Sequence, residues 1–226
     1  VQTKLIDNYL DSDILTLAWR PVVVYLNGEY WGVYYIREKA QEFYVAGNYN
    51  VAREDVVLTG ANGIDKPEYK NLVNYAHSHD LSVQEYYDHV CAQIDVENYI
   101  DYIVAQIYIG NSDNGNIRYF KTPDTKWTWI MYDTDYGFAD ASYNSVSDHL
   151  NPNGTGANNA FSTKLINALL KNPEFKEKFI RRIAWQINNV WTKDNVWARI
   201  DELESLIKED MKKDCTRWDR SYSTWQ

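Results

Sequence analysis

The length, composition and charge of the chain exclude several classes of protein. Its 226 residues have a mass of 26.5 kDa, which is enough for one large domain or two small lobes with an apolar core. The formal net charge of -9 and the pI near 4.9 argue against a nucleic-acid partner, because binding to a phosphate backbone requires clustered Lys and Arg. No stretch approaches the ~20 apolar residues of a membrane-spanning helix, and the first residues lack a signal-peptide pattern.

The cysteine and aromatic content indicates a packed domain without disulfides. Cys91 and Cys215 lie far apart and form no Cys-x-x-Cys motif, so we expect free thiols and neither a metal site nor a redox pair. The 19 Tyr and 9 Trp are more typical of packing than of a carbohydrate-binding platform, because each ring buries a large apolar area.

A β-hairpin is predicted near the start of the chain, over residues 19–39. Two runs of β-branched and aromatic residues flank Asn27-Gly28, a pair that tolerates the positive φ angles of a type I′ turn. The segment 44–65 contains scattered Gly, Asn and Asp, which predicts loops around a short strand at 55–59.

Helices are predicted over most of the remaining chain. The run that begins with the cap residue Asp95 is apolar at a spacing that buries one helix face, and it stops at Gly110. The other predicted helices lie in the segments 67–79, 81–90, 161–172, 173–190 and 193–213. The polar stretch 141–159 is predicted to be a long loop, which in a compact domain is usually functional or mobile.

Acidic side chains follow two of these predicted elements. Asp113 lies in the polar loop after Gly110, and Asp133 and Asp135 come directly after a second hairpin, with strands expected at 117–121 and 127–132. Because an unpaired buried charge is costly, paired Asp residues at a strand end imply a cation, a basic partner or a turn.

This order of helix, polar loop, hairpin and Asp-x-Gly is the layout of phosphoryl transfer in protein kinases. There the loop Asp orients the acceptor hydroxyl, and an Asn and a later Asp hold metal ions that bridge the phosphates. In this chain Asp113 and Asn116 occupy the loop. Asp135 begins the Asp-Tyr-Gly that takes the place of Asp-Phe-Gly, at a separation of 135 − 113 = 22 residues.

Several segments together resemble the spore coat protein H (CotH) kinase family. They are "YLNGEYWGVYYIREK", "NSDNGN" and "WTWIMYDTDYGF", followed by "ALLKNPEFKEKFIRRIA" and the pair Arg217-Trp218. The resemblance implies an α+β, divergent protein-kinase-like fold in a secreted or cell-surface, spore-coat type of enzyme. Such an enzyme transfers the γ-phosphoryl group of ATP to Ser or Thr hydroxyls of a protein, with Mg²⁺ or Mn²⁺ as cofactor.

The resemblance also implies roles for individual residues. Asp113 matches the family's catalytic-loop Asp and Asn116 its loop Asn, which binds both metal and nucleotide. Asp135 matches the metal-binding Asp, and Asp133 matches the first residue of the Asp-x-Asp motif. The residues expected at the hinge beside the adenine are Tyr35, Ile36, Arg37 and Glu38.

The same resemblance implies a division of the chain into two lobes. Residues 1–65 would form a partial N-terminal lobe, consisting of the first hairpin and the hinge, and 66–226 a larger, mostly helical C-terminal lobe. The upstream half of the family's N-terminal lobe, with its phosphate-contacting basic residues, is expected to be absent.

Other interpretations of these residues stay open at this point. Asp113 could be an ordinary turn or helix-cap residue, Asp133 could pair with Arg118, and Glu38 and Lys39 could be solvated surface charges. The Asp-x-Asp motif also occurs in nucleotide-sugar transferases, although those enzymes place it on a βαβ framework that this sequence lacks. A catalytically inactive module that binds protein or glycan through exposed Tyr and Trp is the third alternative.

Overall fold

The fold combines helices with small sheets, which confirms the predicted α+β class. The computed structural model describes residues 12, 14–59, 65–113, 115–153 and 160–225. The strands are β1 (Leu15–Thr16), β2 (Trp19–Leu26), β3 (Glu29–Arg37), β4 (Val57–Leu58), β5 (Arg118–Lys121) and β6 (Thr128–Met131).

Helices account for most of the described residues that lie outside the strands. They are α1 (Glu42–Tyr49), α2 (Pro67–Ser78), α3 (Gln84–Cys91), α4 (Val96–Ile109), α5 (Ser145–His149), α6 (Ala160–Leu169), α7 (Pro173–Trp185), α8 (Lys193–Ser205), α9 (Lys208–Arg217) and α10 (Tyr222–Trp225). A 3₁₀ turn covers Arg53–Asp55, and a π-helical turn at Gln186–Val190 follows α7 directly. Over the residues described, no helix combines the length and apolar character needed to cross a membrane.

The strands form two separate sheets. A four-stranded sheet has the order β1-β6-β5-β4, in which β1 runs parallel to β6 and the other neighbours are antiparallel. The second sheet is the β2–β3 hairpin. Strands from both sides of position 65 therefore share one sheet, and a small apolar cluster joins Val45 and Leu58 to Phe120 and Ile130.

The β2–β3 hairpin has the predicted turn and rests on helix α9. Asn27 and Gly28 take φ values of 52° and 84°, as a type I′ turn requires. Asp214 on α9 accepts a hydrogen bond from the backbone N–H of Val33 at 2.8 Å. The backbone of Gly32 lies against the same carboxylate, because a Cβ there would be 2.8 Å from Asp214 Oδ1.

Helix α4 is the centre of the main core and sets the position of the β5–β6 hairpin. Asp95 caps it by accepting a hydrogen bond from Asn98 N, and Gly110 ends it in the left-handed region at φ 64°, both as predicted. The buried side chain of Asn98 accepts a hydrogen bond from Trp129 N at 2.7 Å, which fixes β6 against the helix. The end of α4 and the end of β6 therefore lie side by side.

Three predicted segments differ in the structure. The segment 44–65, predicted as loops around a strand at 55–59, begins within helix α1, and its strand is limited to Val57–Leu58. The segment 193–213 is not one helix, because Ile207, at φ -127° and ψ -7°, separates α8 from α9 and redirects the chain toward the β2–β3 hairpin. The predicted loop 141–159 contains helix α5, which is capped by Asn144 and buries His149. The expectation for the cysteines was correct, since Cys91 and Cys215 are both free thiols.

Candidate functional site

Two loops form the candidate site, one after α4 and one after β6. The first carries Asp113, whose carbonyl accepts a 3.3 Å hydrogen bond from Asn116 N, so that the loop folds into a turn. The second carries Asp133 and Asp135. Because β5 and β6 pair as a hairpin and β6 is fixed to α4, the loop before β5 and the loop after β6 meet at one end of the sheet.

A direct side-chain contact joins the two loops. Asn116 Nδ2 donates a hydrogen bond to Asp133 Oδ2. The other atom of this amide, Asn116 Oδ1, is buried and has no hydrogen-bond partner among the described residues. A buried amide oxygen without a donor is costly, so it marks a place where a ligand could supply the missing interaction.

The acidic residues lie close enough to influence one another. Burial raises the pKa of the Asp133 carboxyl, and the neighbouring carboxylates of Asp135 and then Asp113 raise this pKa further. The guanidinium of Arg37, at the end of β3, acts in the opposite direction. The charges of Asp135 and Asp113 therefore act on Asp133, which lies on the second loop.

The oxygen atoms at this point suit a hard divalent cation. Within the described parts of the chain, no three His, Cys, Asp or Glu side chains are grouped so that they could hold a metal by themselves. Mg²⁺, however, is commonly bound through one or two carboxylates, with substrate phosphates and water completing its coordination. The carboxylates of Asp133 and Asp135 and the unpaired Oδ1 of Asn116 match that requirement.

The backbone of the second loop is held against the end of α4. Phe138 N donates a 2.6 Å hydrogen bond to Ile109 O, and Gly137 N donates one to Thr134 O at 3.0 Å. A Cβ on Gly137 would lie 3.2 Å from Ile109 O and 3.1 Å from Thr134 O, so close packing explains the glycine. Asp133 and Phe138 have φ values of 49° and 58°, a left-handed conformation that is uncommon outside glycine.

Most of the predicted hinge residues lie on exposed strand. Tyr35 and Ile36 are exposed at the end of β3, and the charge of Arg37 acts to lower the pKa of Asp133. The Glu38 carboxylate accepts a 2.9 Å hydrogen bond from Ala18 N, and Glu38 N donates to Ala18 O, so this residue closes the base of the hairpin.

The alternative pairing of Asp133 with Arg118 was wrong. Arg118 Nη1 donates a 2.6 Å hydrogen bond to Thr59 O, and its guanidinium lies over the ring of Tyr132. This hydrogen bond connects β5 to the residue that follows β4. The side chain of Asp133 is hydrogen-bonded by Asn116 instead.

Comparison with known proteins identifies the family. A family model described as CotH kinase protein matches residues 4–226. The chain belongs to the CotH kinase family. No curated protein and no solved structure matches the chain.

Two site residues of this CotH family member were missed in the sequence. Asn111 and Gln106 are buried at the end of α4, and the Asn111 side chain contacts both loops of the site. Gln106 could have been noticed as a polar residue inside an apolar helical run. Asn111 follows the helix-ending Gly110 and looks like any polar loop residue, so its partners became apparent only in three dimensions.

Proposed function

We propose that this chain is a metal-dependent phosphotransferase with a divergent kinase-like fold, which moves the γ-phosphoryl group of ATP to Ser or Thr hydroxyls of a protein. The kinase character of the family supports the reaction type. The observation that carries the proposal is the hydrogen bond between Asn116 and Asp133, which joins the two acidic loops beside the unpaired Oδ1 of Asn116.

Each side chain has a distinct role in this proposal. Asp135, Asp133 and Asn116 would hold Mg²⁺ or Mn²⁺, which when bound neutralises phosphate charge that this acidic protein would otherwise repel. Asp113 would orient the acceptor hydroxyl and accept its proton. Asp113 is only partly buried, so its carboxylate can be reached by a protein substrate.

The first hairpin would supply the nucleotide side of the site. We propose that residues 1–65 act as a partial N-terminal lobe and 66–226 as the C-terminal lobe. Ile36 and Tyr35 would then face the adenine, with Glu38 at the hinge. Arg37 would lie toward the phosphates, which agrees with its proximity to Asp133. We further propose a secreted or cell-surface location, on the basis of the family alone.

Calorimetric titration of ATP with and without Mn²⁺ tests the proposal in the wild-type chain. Asp135→Asn should lower metal-dependent ATP affinity about 10- to 100-fold, because it removes a ligand charge. Asp113→Asn should keep that affinity and lower the rate of phosphate transfer to a degenerate Ser/Thr peptide library about 10²- to 10⁴-fold. Asp124→Asn, an exposed carboxylate in the β5–β6 turn, is the matched control and should change neither quantity.

Two results would replace the proposal with an alternative. Wild-type protein that binds no ATP in the presence of Mn²⁺ would favour the inactive binding module. Metal-dependent binding of a nucleotide sugar in preference to ATP would favour the transferase interpretation of Asp133 and Asp135.

A further inference from the structure

Asn111 occupies an unusual position between the two loops of the site. It follows Gly110, whose left-handed conformation turns the chain sharply away from helix α4. Its side chain is 1% exposed, although it lies only two residues from the partly exposed Asp113. A primary amide that is this deeply buried must have its donors and acceptor satisfied by the protein.

The hydrogen bonds of Asn111 reach three separate segments. Its Nδ2 donates to Gln106 Oε1 at 2.8 Å on α4, and makes a longer contact of 3.4 Å with the backbone carbonyl of Asp133. Its Oδ1 accepts from the backbone N–H of Asp113 at 3.2 Å. One amide group therefore contacts the backbone of a residue in each acidic loop and, at the same time, the helix.

Gln106 gives this amide a rigid support. It is 2% exposed, and Asn111 N also donates to its backbone carbonyl at 3.2 Å. Gln106 Nε2 approaches Met131 Sδ on β6 at 3.9 Å, and Gln106 lines the same small cavity as Tyr102. The support therefore belongs to the packed core, where side chains have little freedom to move.

Only an amide of this size satisfies all of these partners. Ionised aspartate at position 111 could still accept from Asp113 N, but it could not donate to Gln106 Oε1 or to Asp133 O. Leucine also branches at Cγ, is larger, and could do neither. The two substitutions therefore separate the link to the Asp133 loop from the link to the Asp113 loop.

We propose that Asn111 is a positioning residue that fixes the Asp113 loop and the Asp133 loop relative to each other. It touches neither acidic side chain and acts through the backbone of both residues. The consequence for catalysis rests on the proposed phosphotransferase function. The structural coupling of the two loops does not, and it can be measured separately.

Amide hydrogen exchange tests the coupling without reference to activity. In Asn111→Leu, exchange should accelerate about tenfold in both 112–117 and 132–138, because both loops lose a hydrogen-bond partner. In Asn111→Asp, exchange should accelerate in 132–138 and stay near the wild-type rate at Asp113. The isosteric aspartate also keeps the test available should the leucine variant fail to fold.

Asn172 provides the matched control. It is also 1% exposed, it caps α7, and its Nδ2 donates to Leu81 O at 3.1 Å. Asn172→Leu and Asn172→Asp should change exchange around α7 and leave both site loops at the wild-type rate. Acceleration of only one site loop in Asn111→Leu, or equal acceleration of both in the Asn172 variants, would overturn the proposal.

Measurements of phosphate transfer and Mn²⁺ affinity distinguish this inference from the proposed function. If wild-type protein transfers phosphate, Asn111→Asp should lower kcat or Mn²⁺ affinity about 10- to 100-fold, as residues that orient metal ligands do. Asn172→Asp should not. If wild-type protein transfers no phosphate, the proposed function fails, while the exchange rates still decide whether Asn111 couples the loops.

Discussion

The two hairpins of this protein are built from similar sequences and have opposite surroundings. Strands β5 and β6 lie within a four-stranded sheet, and all four residues of β6 are buried. Strands β2 and β3 form a sheet of their own, with Tyr25, Tyr35 and Ile36 exposed. Both are rich in aromatic and β-branched residues, so burial was decided by what packs against each hairpin and not by the hairpin sequence alone.

This difference separates the two halves of the candidate site. The acidic residues follow α4 and β6, which are joined by buried hydrogen bonds such as that between Asn98 and Trp129. The residues predicted to face the adenine lie on β3, which is held at one edge by α9. Because local stability follows buried contacts, we expect the acidic half to be the more rigid and the hairpin the more easily opened.

Removing a buried aromatic side chain from β6, which positions the acidic residues, should have the largest effect on stability. Trp129 on β6 is fully buried and packs against Tyr99 and Tyr119. Trp129→Ala should lower the free energy of unfolding by about 3–5 kcal/mol, because it deletes a large apolar surface and leaves a cavity. Urea denaturation measures the loss, and a change below about 1 kcal/mol would contradict the rigid core assigned to this half.

The attachment of the first hairpin to α9 should be sensitive to a single methyl group. In Gly32→Ala, the new Cβ would lie 2.8 Å from Asp214 Oδ1 and 3.0 Å from Trp218 Nε1, at a φ of 152°. We expect a loss of about 1–3 kcal/mol and faster proteolysis of the hairpin.

Gly28→Ala is the control for that prediction. Gly28 also has a positive φ, but no atom lies within 4 Å of its added Cβ, so only backbone strain is introduced. Equal losses in the two variants would mean that strain and not the contact with α9 explains the effect.

A pH dependence of stability should arise from the buried side chain of His149. His149 lines a small cavity of about 20 Å³ beside Trp129 and Thr163, and its Nδ1–H donates to Ser145 O at 3.0 Å. Burial lowers the pKa of His149 below its usual value near 6.5, although the Ser145 carbonyl and Asp148 act in the opposite direction. Below pH 6.5 this histidine is protonated in the unfolded chain but stays neutral in the folded protein. The free energy of unfolding therefore falls as the pH decreases from 6.5 toward the lowered pKa.

The His149→Gln variant checks this sign. Its stability deficit relative to wild type should shrink between pH 7.5 and pH 5 in thermal melts, since the variant has no proton to gain at this position. A deficit that grows toward pH 5 would show that His149 is stabilised in its charged form.

The smallest effect on stability is expected on the exposed strand. Ile36 is 55% exposed, so Ile36→Ser should change the free energy of unfolding by less than about 0.5 kcal/mol. If it packs on the adenine, as we propose, the same change should weaken ATP binding about tenfold. Leu26→Ser, at the exposed hairpin tip, should leave binding unchanged, and equal binding by both variants would remove Ile36 from the site.

Sequence patterns predicted the features that depend on a few neighbouring residues. The Asn27-Gly28 turn, the Asp95 cap and the Gly110 helix stop were confirmed because each acts over three or four positions. The pattern failed at Ile207, where a continuous apolar periodicity is interrupted so that α9 can pack on β3. Periodicity reports which face is apolar and cannot show where tertiary packing breaks a helix.

The sequence by itself determined the family, the α+β class and the identity of the acidic residues, since these depend on residue types and their spacing. The tertiary structure decided which of them meet: Asn116 reaches Asp133 across 17 positions, and Asn111 reaches Asp133 across 22. It also decided that Gly137 packs closely against Thr134 and Ile109, and that Arg118 donates a hydrogen bond to Thr59 O. Such contacts form only when a helix end and a strand end are packed side by side, and no local rule of chain conformation specifies that arrangement.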